Sequence, residues 1–356
     1  MSSYNYEKAL SIDWNGKVFV LTIRNDTPEG TRDYLYSYDG SNWTTGTDIS
    51  NSTLLVNKNP YNVKWLGNHY EIMGNITSIH GNTILKSFDG TSFSSIPANN
   101  SVPIYDLEAN LEFNNTIIFP KDVTLALGGN VNDSTKIAYS LDCGVTWTPS
   151  SNSSLIFTET VNNAAWNGKI WVAVGSGGNT IATSTDGNTW IGRGSYIFTT
   201  TGYSVYWSSE NAMWIASGEG TNSLAYSYDG IYWTGLGNNI INPVYDVKHN
   251  GSLWVAAGSP TTNNKSIAYS VDGIHWQFPL QSDLFDIYAK YLGWNGTFWT
   301  SIGSSTENNN LYNIGTSSDG ITWNMTNNNS FTNEVLTKIY SNPKSNATLI
   351  TSFSTL

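Results

Sequence analysis

The sequence contains few of the residues from which several common sites are built. Cys143 is the only cysteine, which excludes an intrachain disulfide framework and a cysteine-based zinc site. Lysine and arginine total 16 against 27 acidic residues, so the formal net charge is −11. Nucleic acids and anionic membranes bind clustered positive charge, and the sequence therefore predicts neither as a partner.

Long hydrophobic segments are also missing. The first residues, MSSYNYEKALSIDW, lack the apolar centre of a signal peptide, and no apolar run reaches the roughly 18 residues of a membrane-spanning helix. We therefore expect neither a secretory signal nor membrane insertion. The 44 asparagines and three arginines are typical of AT-rich genomes, including those of some large DNA viruses. The compartment stays open, since a cytoplasmic and a virion-associated location both agree with the sequence.

Aromatic residues and glycine are abundant instead. Aromatic residues make up 13% of the chain, glycine contributes 32 residues, and charged residues make up only 12%. This mixture disfavours disorder and coiled coil, and it favours many short strands joined by tight turns.

A short unit, which we call the box, recurs seven times at intervals of 43 to 53 residues. Each copy begins with Ser-x-Asp, continues with Gly, and ends three residues after that Gly with Trp or, once, Phe. Such a period predicts a repeat architecture. The box aspartates are Asp39, Asp89, Asp142, Asp186, Asp229, Asp272 and Asp319.

A second shared block precedes each box. It has an aromatic residue or histidine, then Asn-Gly in its clearest copies, then an apolar run. Asn-Gly between two apolar runs is the strongest short-range signal of a β-hairpin, typically with a type I′ turn. Each repeat therefore predicts four strands, A to D, in which A and B are joined by this turn and C and D by the box. The residues before the A–B turn are Trp14, Trp65, Phe113, Trp166, Trp207, His249 and Trp294.

Four short antiparallel strands repeated about seven times predict an all-β chain that forms a single β-propeller over residues 1–356. We predict seven four-stranded blades. The alternative is an eight-bladed propeller whose incomplete last blade combines the C-terminal half repeat with the N-terminal residues. The repeats cover about 9–48, 60–97, 104–149, 163–192, 203–234, 244–278 and 287–325, and the half repeat covers 335–353.

The box resembles the Asp-box, or BNR, repeat S/T-x-D-x-G-x-T-W, which Ser140-Leu141-Asp142-Cys143-Gly144-Val145-Thr146-Trp147 matches in full. The other six copies have one residue fewer between Asp and the aromatic residue. The resemblance extends over nearly the whole chain. It implies a propeller similar to those of sialidases, certain Asp-box glucanases, photosystem assembly factors and sortilin-type receptors. These proteins share a scaffold and not an activity, so the resemblance implies no single function.

The seven box aspartates admit a catalytic or a calcium-binding interpretation, but seven copies of one acid suit a repeated turn better than one active site. Each carboxylate can accept N–H groups of its own turn, while Gly supplies a positive φ and the aromatic ring packs between blades. We therefore expect a structural role, which the resemblance also implies. The residues before the A–B turn are likewise expected to pack between blades rather than to stack on sugars, with His249 in a Trp position.

Strand direction alternates, so the B–C and D–A connections lie at the same end of the sheets, which we call the loop face. The repeats differ most in these connections, and repeat proteins carry specificity where they differ. We therefore expect binding at the loop face. Residues near the start of the A strands there are candidates for ligand contact, namely Tyr105, Tyr245 and Tyr288, and for channel-mouth carboxylates, namely Asp106, Asp246 and Asp286.

Two functions agree with these features. The first is a non-catalytic binding or assembly propeller that recognises a protein or a glycan at the loop face and needs no cofactor or metal. The alternative is a glycoside hydrolase or lyase, in which Asp106, Asp246 and Asp286 act as acid and base or nucleophile across roughly 5 to 9.5 Å. A third and weaker option is a cation site among Asp26, Glu29 and Asp33. The identity of the partner and the oligomeric state stay open.

Sialidase activity is not expected. In the sialidases that the box resembles, three arginines hold the substrate carboxylate. Here Arg24 and Arg32 lie in one connection and Arg193 in another, so they cannot come from three separate strands.

Overall fold

The computed structural model describes residues 8–24, 34–40, 42–48, 58–65, 69–76, 84–95, 115–118, 123–129, 135–141, 146–261, 265–279, 285–304, 313–326, 334–342 and 347–354. In these ranges the regular structure is β-strand apart from one short helix, α1 (Ser153–Ile156). The chain divides into two compact units. One contains the residues up to Ser154 together with Thr351–Ser354, and the other contains Leu155–Ile350. The predicted all-β propeller class is confirmed.

The first unit contains three groups of strands that are consecutive in the chain. The first group is β1 (Lys8–Trp14), β2 (Phe19–Arg24), β3 (Tyr34–Ser37) and β4 (Thr44–Thr45). The second is β5 (Thr47–Asp48), β6 (Lys58–Trp65), β7 (Tyr70–Ile76), β8 (Ile84–Ser87) and β9 (Ser92–Ser95). The third is β10 (Asn115–Ile118), β11 (Thr124–Leu127), β12 (Ile137–Ser140) and β13 (Thr148–Pro149). Within each group, sequential strands pair antiparallel, except that β5 runs parallel to β9 at the edge of the second sheet.

The second unit continues the pattern with four sheets. They are β14 (Val161–Trp166), β15 (Trp171–Gly175), β16 (Ile181–Ser184) and β17 (Ile191–Gly192); β18 (Thr201–Ser208), β19 (Met213–Glu219), β20 (Leu224–Ser227) and β21 (Thr234–Gly235); β22 (Val244–His249), β23 (Trp254–Gly258) and β24 (Ile267–Ser270); and β25 (Tyr288–Trp294), β26 (Trp299–Ser304), β27 (Asn313–Ser317) and β28 (Asn324–Thr326). The final strands are β29 (Glu334–Asn342) and β30 (Ala347–Ser354).

The prediction of seven four-stranded blades is wrong, and so is the alternative of eight. Among the described strands, six sheets give six blades, while the sheet of β5 to β9 contains a parallel pair. The C-terminal hairpin does not begin a further blade, because β30 pairs with β1, with Phe353 opposite Lys8. The strand order there is β29-β30-β1-β2-β3-β4. An unpaired sheet edge is a ready site for another strand, so the number of boxes does not fix the number of blades.

The second strand of a repeat is the most buried. Every residue of β15 and of β23 is buried, which explains the continuous apolar sequences Trp-Val-Ala-Val-Gly and Trp-Val-Ala-Ala-Gly. The hydrophobic core consists of clusters that two successive sheets share. In one cluster, Val172 and Val174 of β15 pack with Val205 of β18 and Trp214 of β19. Side-chain packing between sheets is therefore the main source of stability within the second unit.

The A–B hairpins differ in detail from the predicted type I′ turn. Trp166 lies opposite Trp171, so Asn-Gly opens a four-residue loop rather than filling a two-residue one. Gly168 has a φ of 95°, whereas the asparagine before it does not have a positive φ. The Oδ1 atom of Asn167 instead accepts hydrogen bonds from the N–H groups of Lys169 and Ile170, both at 2.9 Å. Asparagine is thus required here for its side-chain acceptor.

Candidate functional site

The box forms a hydrogen-bonded turn in each copy whose aspartate the structure describes. In the fifth copy, Ser227 Oγ accepts a hydrogen bond from Gly230 N at 2.8 Å and donates one to Asp229 Oδ1 at 3.0 Å. Asp229 Oδ1 also accepts the N–H groups of Ile231 at 2.8 Å and Tyr232 at 2.9 Å. The indole N–H of Trp233 closes the turn on Gly230 O at 3.0 Å. The bond from the box serine to the aspartate recurs at Asp39, Asp89, Asp186, Asp272 and Asp319, whereas Asp142 lies outside the described residues.

These turns keep the carboxylates ionised. Burial acts to raise the pKa of each, but hydrogen bonds from backbone N–H groups and the box serine outweigh it, so the pKa values of Asp89, Asp186, Asp229 and Asp319 are lowered. The pKa of Asp272 is lowered most, because His275 Nδ1 also lies 2.7 Å from its Oδ2 atom. A general acid needs the opposite, a raised pKa.

In six described hairpins the residue before the A–B turn packs against the first aromatic residue of the next strand. In five hairpins a Trp takes this position, with ring centroids 5.0 to 5.6 Å apart; the pairs are Trp14–Phe19, Trp65–Tyr70, Trp166–Trp171, Trp207–Trp214 and Trp294–Trp299. His249 takes the same position over Trp254, at 4.6 Å. Phe113 lies outside the described residues, and the first hairpin of its sheet turns after Ile118, which lies opposite Thr124, so the predicted turn at Phe113-Asn114-Asn115 is wrong. These ring contacts lie within each hairpin, between the residue at the turn and the next strand.

His249 nevertheless suits the position before the A–B turn less well than Trp does. Its side chain is 2% exposed, and Nδ1 accepts the N–H of Gly251 at 3.2 Å and lies 3.2 Å from Ser208 Oγ. Among the described residues, its Nε2 atom has no hydrogen-bond partner. Burial lowers the pKa of His249, although the Glu210 carboxylate 3.8 Å away acts in the other direction. The neutral ring therefore leaves one polar atom unsatisfied.

Of the three predicted channel-mouth aspartates, Asp246 is held by several polar groups. Asp246 is 8% exposed, and its Oδ1 atom accepts hydrogen bonds from Ser204 Oγ at 3.0 Å and from its neighbour Val247 N at 2.9 Å. Its Oδ2 atom accepts Leu292 N at 3.1 Å, and Lys248 Nζ lies 3.1 Å from Oδ1. The carboxylate thus connects strands β18, β22 and β25. Asp286 is half-buried just before β25, and Asp106 lies outside the described residues.

A β-bulge at one repeated place explains this arrangement. In six described A strands, β1, β6, β14, β18, β22 and β25, one extra residue interrupts the pairing four residues before the turn residue. In β18, β22 and β25 this extra residue is Tyr203, Tyr245 and Lys290, respectively. A bulge re-aims the side chains beside it. The residue after the bulge then reaches the neighbouring strand: Asp246 accepts Leu292 N, and Asn163 Oδ1 accepts Val205 N at 3.2 Å.

Three tyrosines meet at the loop face of the second unit, and we call them the tyrosine row: Tyr203, Tyr245 and Tyr288. The ring centroids of Tyr203 and Tyr245 are 5.3 Å apart with an interplanar angle of 63°, and those of Tyr245 and Tyr288 are 6.2 Å apart with an angle of 77°. All three side chains are half-buried. Each lies near the start of an A strand, where the D–A connection ends. The structure thus brings the predicted Tyr245 and Tyr288 together, whereas Tyr105 lies outside the described residues.

Polar partners hold two of these rings in place. Tyr203 Oη donates to Glu219 Oε2 at 2.9 Å, and Tyr245 Oη lies 3.2 Å from Ser259 Oγ. Burial, and then the hydrogen bond and negative charge of Glu219, raise the pKa of Tyr203, so it remains a protonated donor at neutral pH. Both partners stand where a B strand ends. Tyr203 and Tyr245 are therefore each held by two strands of one sheet, the A strand that carries the tyrosine and the B strand that ends beside its polar partner.

Sequence reasoning missed Tyr203, although a signal was present. Tyr203 stands four residues before Trp207, and Tyr245 stands four residues before His249. This spacing from the turn marks the bulged position in the six A strands β1, β6, β14, β18, β22 and β25. Aligning the repeats on the turn residue would have placed Tyr203 beside Tyr245.

Within the described ranges, no group of three or more His, Cys, Asp or Glu side chains has a geometry suited to a metal ion. The described part of the chain also has no helix long and apolar enough to cross a membrane. Asp26, Glu29 and Asp33, the residues of the predicted cation site, lie outside the described ranges. Arg193 lies within them and donates to Thr183 Oγ1 from Nε at 3.0 Å and from Nη2 at 2.7 Å.

Comparison with known proteins identifies the fold and no family. No protein-family model matches the chain, and no curated protein matches it. Among solved structures, YCF48 bound to D1 peptide is similar, with 15% identity and a TM-score of 0.51 over 83% of this chain and 90% of that one. The computationally designed Ika8 protein also matches, with 8% identity and a TM-score of 0.44 over 90% of this chain and 96% of that one. At such identities the first similarity supports the propeller fold alone.

Proposed function

We propose that this protein is a non-catalytic binding propeller that recognises a segment of another protein at the loop face. The observation that carries the proposal is the tyrosine row, whose three rings lie side by side at the end of the sheets where the connections between repeats differ. Tyrosine suits this task, because it offers a large and rigid contact area together with a polar tip, at a low cost in conformational entropy.

The row is pre-organised for binding. Tyr203 is anchored on Glu219 and Tyr245 on Ser259, and the edge-to-face contacts between the rings restrict them further. A surface that is already ordered loses little entropy when a partner docks, and more of the contact energy then appears as affinity. Half-burial also leaves part of each ring accessible for contact.

A structural role for the box aspartates supports the non-catalytic part of the proposal. Asp229 accepts two N–H groups and a serine hydroxyl within its own turn, and the other described box aspartates accept the serine hydroxyl in the same way, which accounts for the acid without a chemical role. Asp246, the best described of the channel-mouth candidates, is held by three hydrogen bonds and an ammonium group. A carboxylate held in this way is a connector between strands rather than a free acid or nucleophile.

The similar structure gives a precedent for the class of partner. YCF48 is described as bound to D1 peptide, so a propeller of this fold can hold a peptide. The tyrosine row offers this chain the aromatic surface that such a contact needs. We therefore favour a protein segment over a glycan as the ligand.

Selection from a random peptide library on the immobilised full chain tests this proposal. The affinities of the selected peptides are then measured by calorimetry for the wild type, Tyr203→Ala, Tyr245→Ala and the control Tyr232→Ala. Tyr232 is 78% exposed in a box turn, at the opposite end of its sheet from the loop face. We expect each row variant to weaken binding about tenfold and the control to leave it unchanged.

Two results would contradict the proposal. One is the absence of any peptide whose affinity depends on the tyrosine row. The other is binding to a glycan array, or turnover of a glycan, that is lost in Tyr245→Ala or Asp246→Asn, because either would assign the loop face to a carbohydrate.

A further inference from the structure

The charges beside the tyrosine row favour one kind of partner. Glu219 is hydrogen-bonded to Tyr203, and Asp286 stands two residues before Tyr288. The whole chain carries a net charge of −11, so its long-range field also attracts cations. An anionic ligand would meet repulsion from these carboxylates.

Three basic side chains of the second unit already have partners. Arg193 donates to Thr183 Oγ1 from two nitrogens. Lys290, the bulged residue of β25, places its Nζ atom 5.5 Å from the centroid of the Tyr291 ring. Lys248 pairs with Asp246. None of these three is set up as a receptor for a phosphate or a carboxylate group of a partner.

Aromatic faces beside carboxylates are well suited to a cation. A Lys or Arg side chain over a tyrosine ring is attracted by the negative face of the ring, and more strongly where water is partly excluded. Two lysines of this chain already make such contacts, since Lys290 lies over Tyr291 and Lys86 Nζ lies 4.9 Å from the centroid of the Phe88 ring. In the tyrosine row, interplanar angles of 63° and 77° set successive rings edge to face, and the Glu219 carboxylate is hydrogen-bonded to the first of these tyrosines.

We infer that the protein segment bound by the tyrosine row presents a lysine or arginine side chain, which lies against the tyrosine rings with Glu219 as its counter-charge. This inference rests on the proposed function, because it specifies the chemistry of the partner at the same site. It adds a prediction that protein binding alone does not make: the affinity depends on a positive charge in the ligand.

The experiment uses synthetic peptides from the library selection described above. In each peptide, one basic residue at a time is replaced by norleucine, which keeps the length of a lysine side chain without its charge. Calorimetry then compares the parent and the norleucine peptide on the wild type and on Glu219→Gln. Gln can still accept the hydrogen bond of Tyr203, so the tyrosine row keeps its anchor while the charge is removed.

We expect norleucine at one position to weaken binding about tenfold, and Glu219→Gln to weaken the parent peptide about threefold to fivefold while leaving the norleucine peptide unaffected. Selected peptides that depend on the tyrosine row but are neutral or acidic, or that bind equally well with norleucine, would overturn the inference and leave the proposed function standing. If no selected peptide depends on the row, the proposed function itself fails.

Discussion

Gly230→Ala probes the packing of the box between two sheets, and Gly251→Ala is its matched control. Both glycines have a positive φ, 75° at Gly230 and 99° at Gly251. A Cβ atom on Gly230 would lie 2.9 Å from Ile170 Cδ1 and from Val172 Cγ2, and 3.2 Å from Trp214 Nε1, whereas one on Gly251 would have no heavy atom within 4 Å. The two variants therefore share the backbone penalty and differ in the steric one.

The expected losses follow from these contacts. A left-handed backbone costs an L-residue about 1–2 kcal/mol, which is the whole effect expected for Gly251→Ala. Overpacking a well-filled core costs about 1–3 kcal/mol more, so Gly230→Ala should lower the free energy of unfolding by about 2–5 kcal/mol. Urea denaturation followed by tryptophan fluorescence measures both values on the full chain.

Equal losses in the two variants would refute the reasoning, because the box would then not be wedged between sheets. A Gly230→Ala protein as stable as the wild type would refute it as well. Loss of far-ultraviolet circular dichroism in Gly251→Ala alone would show that the A–B turn, and not the box, is the more constrained element.

Three further variants test the roles assigned to polar side chains. Asp229→Asn should lower the free energy of unfolding by about 1 kcal/mol, because its turn loses an ionised acceptor, and should leave peptide affinity unchanged; an unchanged thermal melting curve, or one that depends on Ca²⁺, would count against the structural role. Asp246→Ala should lower the free energy of unfolding, measured by urea denaturation, by about 2–4 kcal/mol, because Ser204, the Leu292 N–H and Lys248 lose their acceptor. A loss below about 0.5 kcal/mol would show that Asp246 does not connect strands. His249→Trp should weaken the acid sensitivity of the protein. Burial lowers the pKa of His249 below 6.5 in the folded state, so the unfolded chain takes up the proton first as the pH falls. The free energy of unfolding of the wild type therefore decreases as the pH drops through 6.5 toward the folded pKa. Urea midpoints at about pH 8 and about pH 5 check this, and equal shifts for the wild type and the variant would contradict it.

The local structure follows the sequence closely where side chains act on their own turn. The box serine and aspartate are two residues apart, which is the distance at which a hydroxyl reaches a carboxylate in a turn, as Ser227 reaches Asp229. The Trp before the A–B turn likewise lies next to the turn that brings it against the following strand, as Trp166 packs against Trp171. Short-range patterns predicted these elements because both partners are encoded within a few residues.

The blade count depends on longer-range choices that such patterns do not contain. Whether β30 pairs with β1 or begins a sheet of its own is decided by which sheet edge is free, and Lys8 and Phe353 are far apart in the chain. The parallel pairing of β5 with β9 is a similar case, since Thr47–Asp48 carries no signal that distinguishes it from a connection. Counting repeats in the sequence cannot replace knowledge of these pairings.

The candidate site was likewise predicted in part from short-range patterns, whereas the rest depends on how the strands pair. Tyr245 and Tyr288 were predicted from their place near the start of A strands, but their contact through ring edges depends on the β-bulge at Tyr245. The bulge also places Asp246, predicted as a channel-mouth carboxylate, in contact with Ser204 and the Leu292 N–H. A one-residue bulge reverses the alternation of side chains along a strand, so the face of the sheet on which these residues lie depends on it.

Hydrogen–deuterium exchange of the full chain with and without a selected peptide tests the central claim most directly. If the tyrosine row is the binding surface, protection should appear at the starts of β18, β22 and β25 and at the ends of β19 and β23, with the box turns unchanged. Protection at the box turns, or at none of these strand ends despite saturating peptide, would contradict the claim.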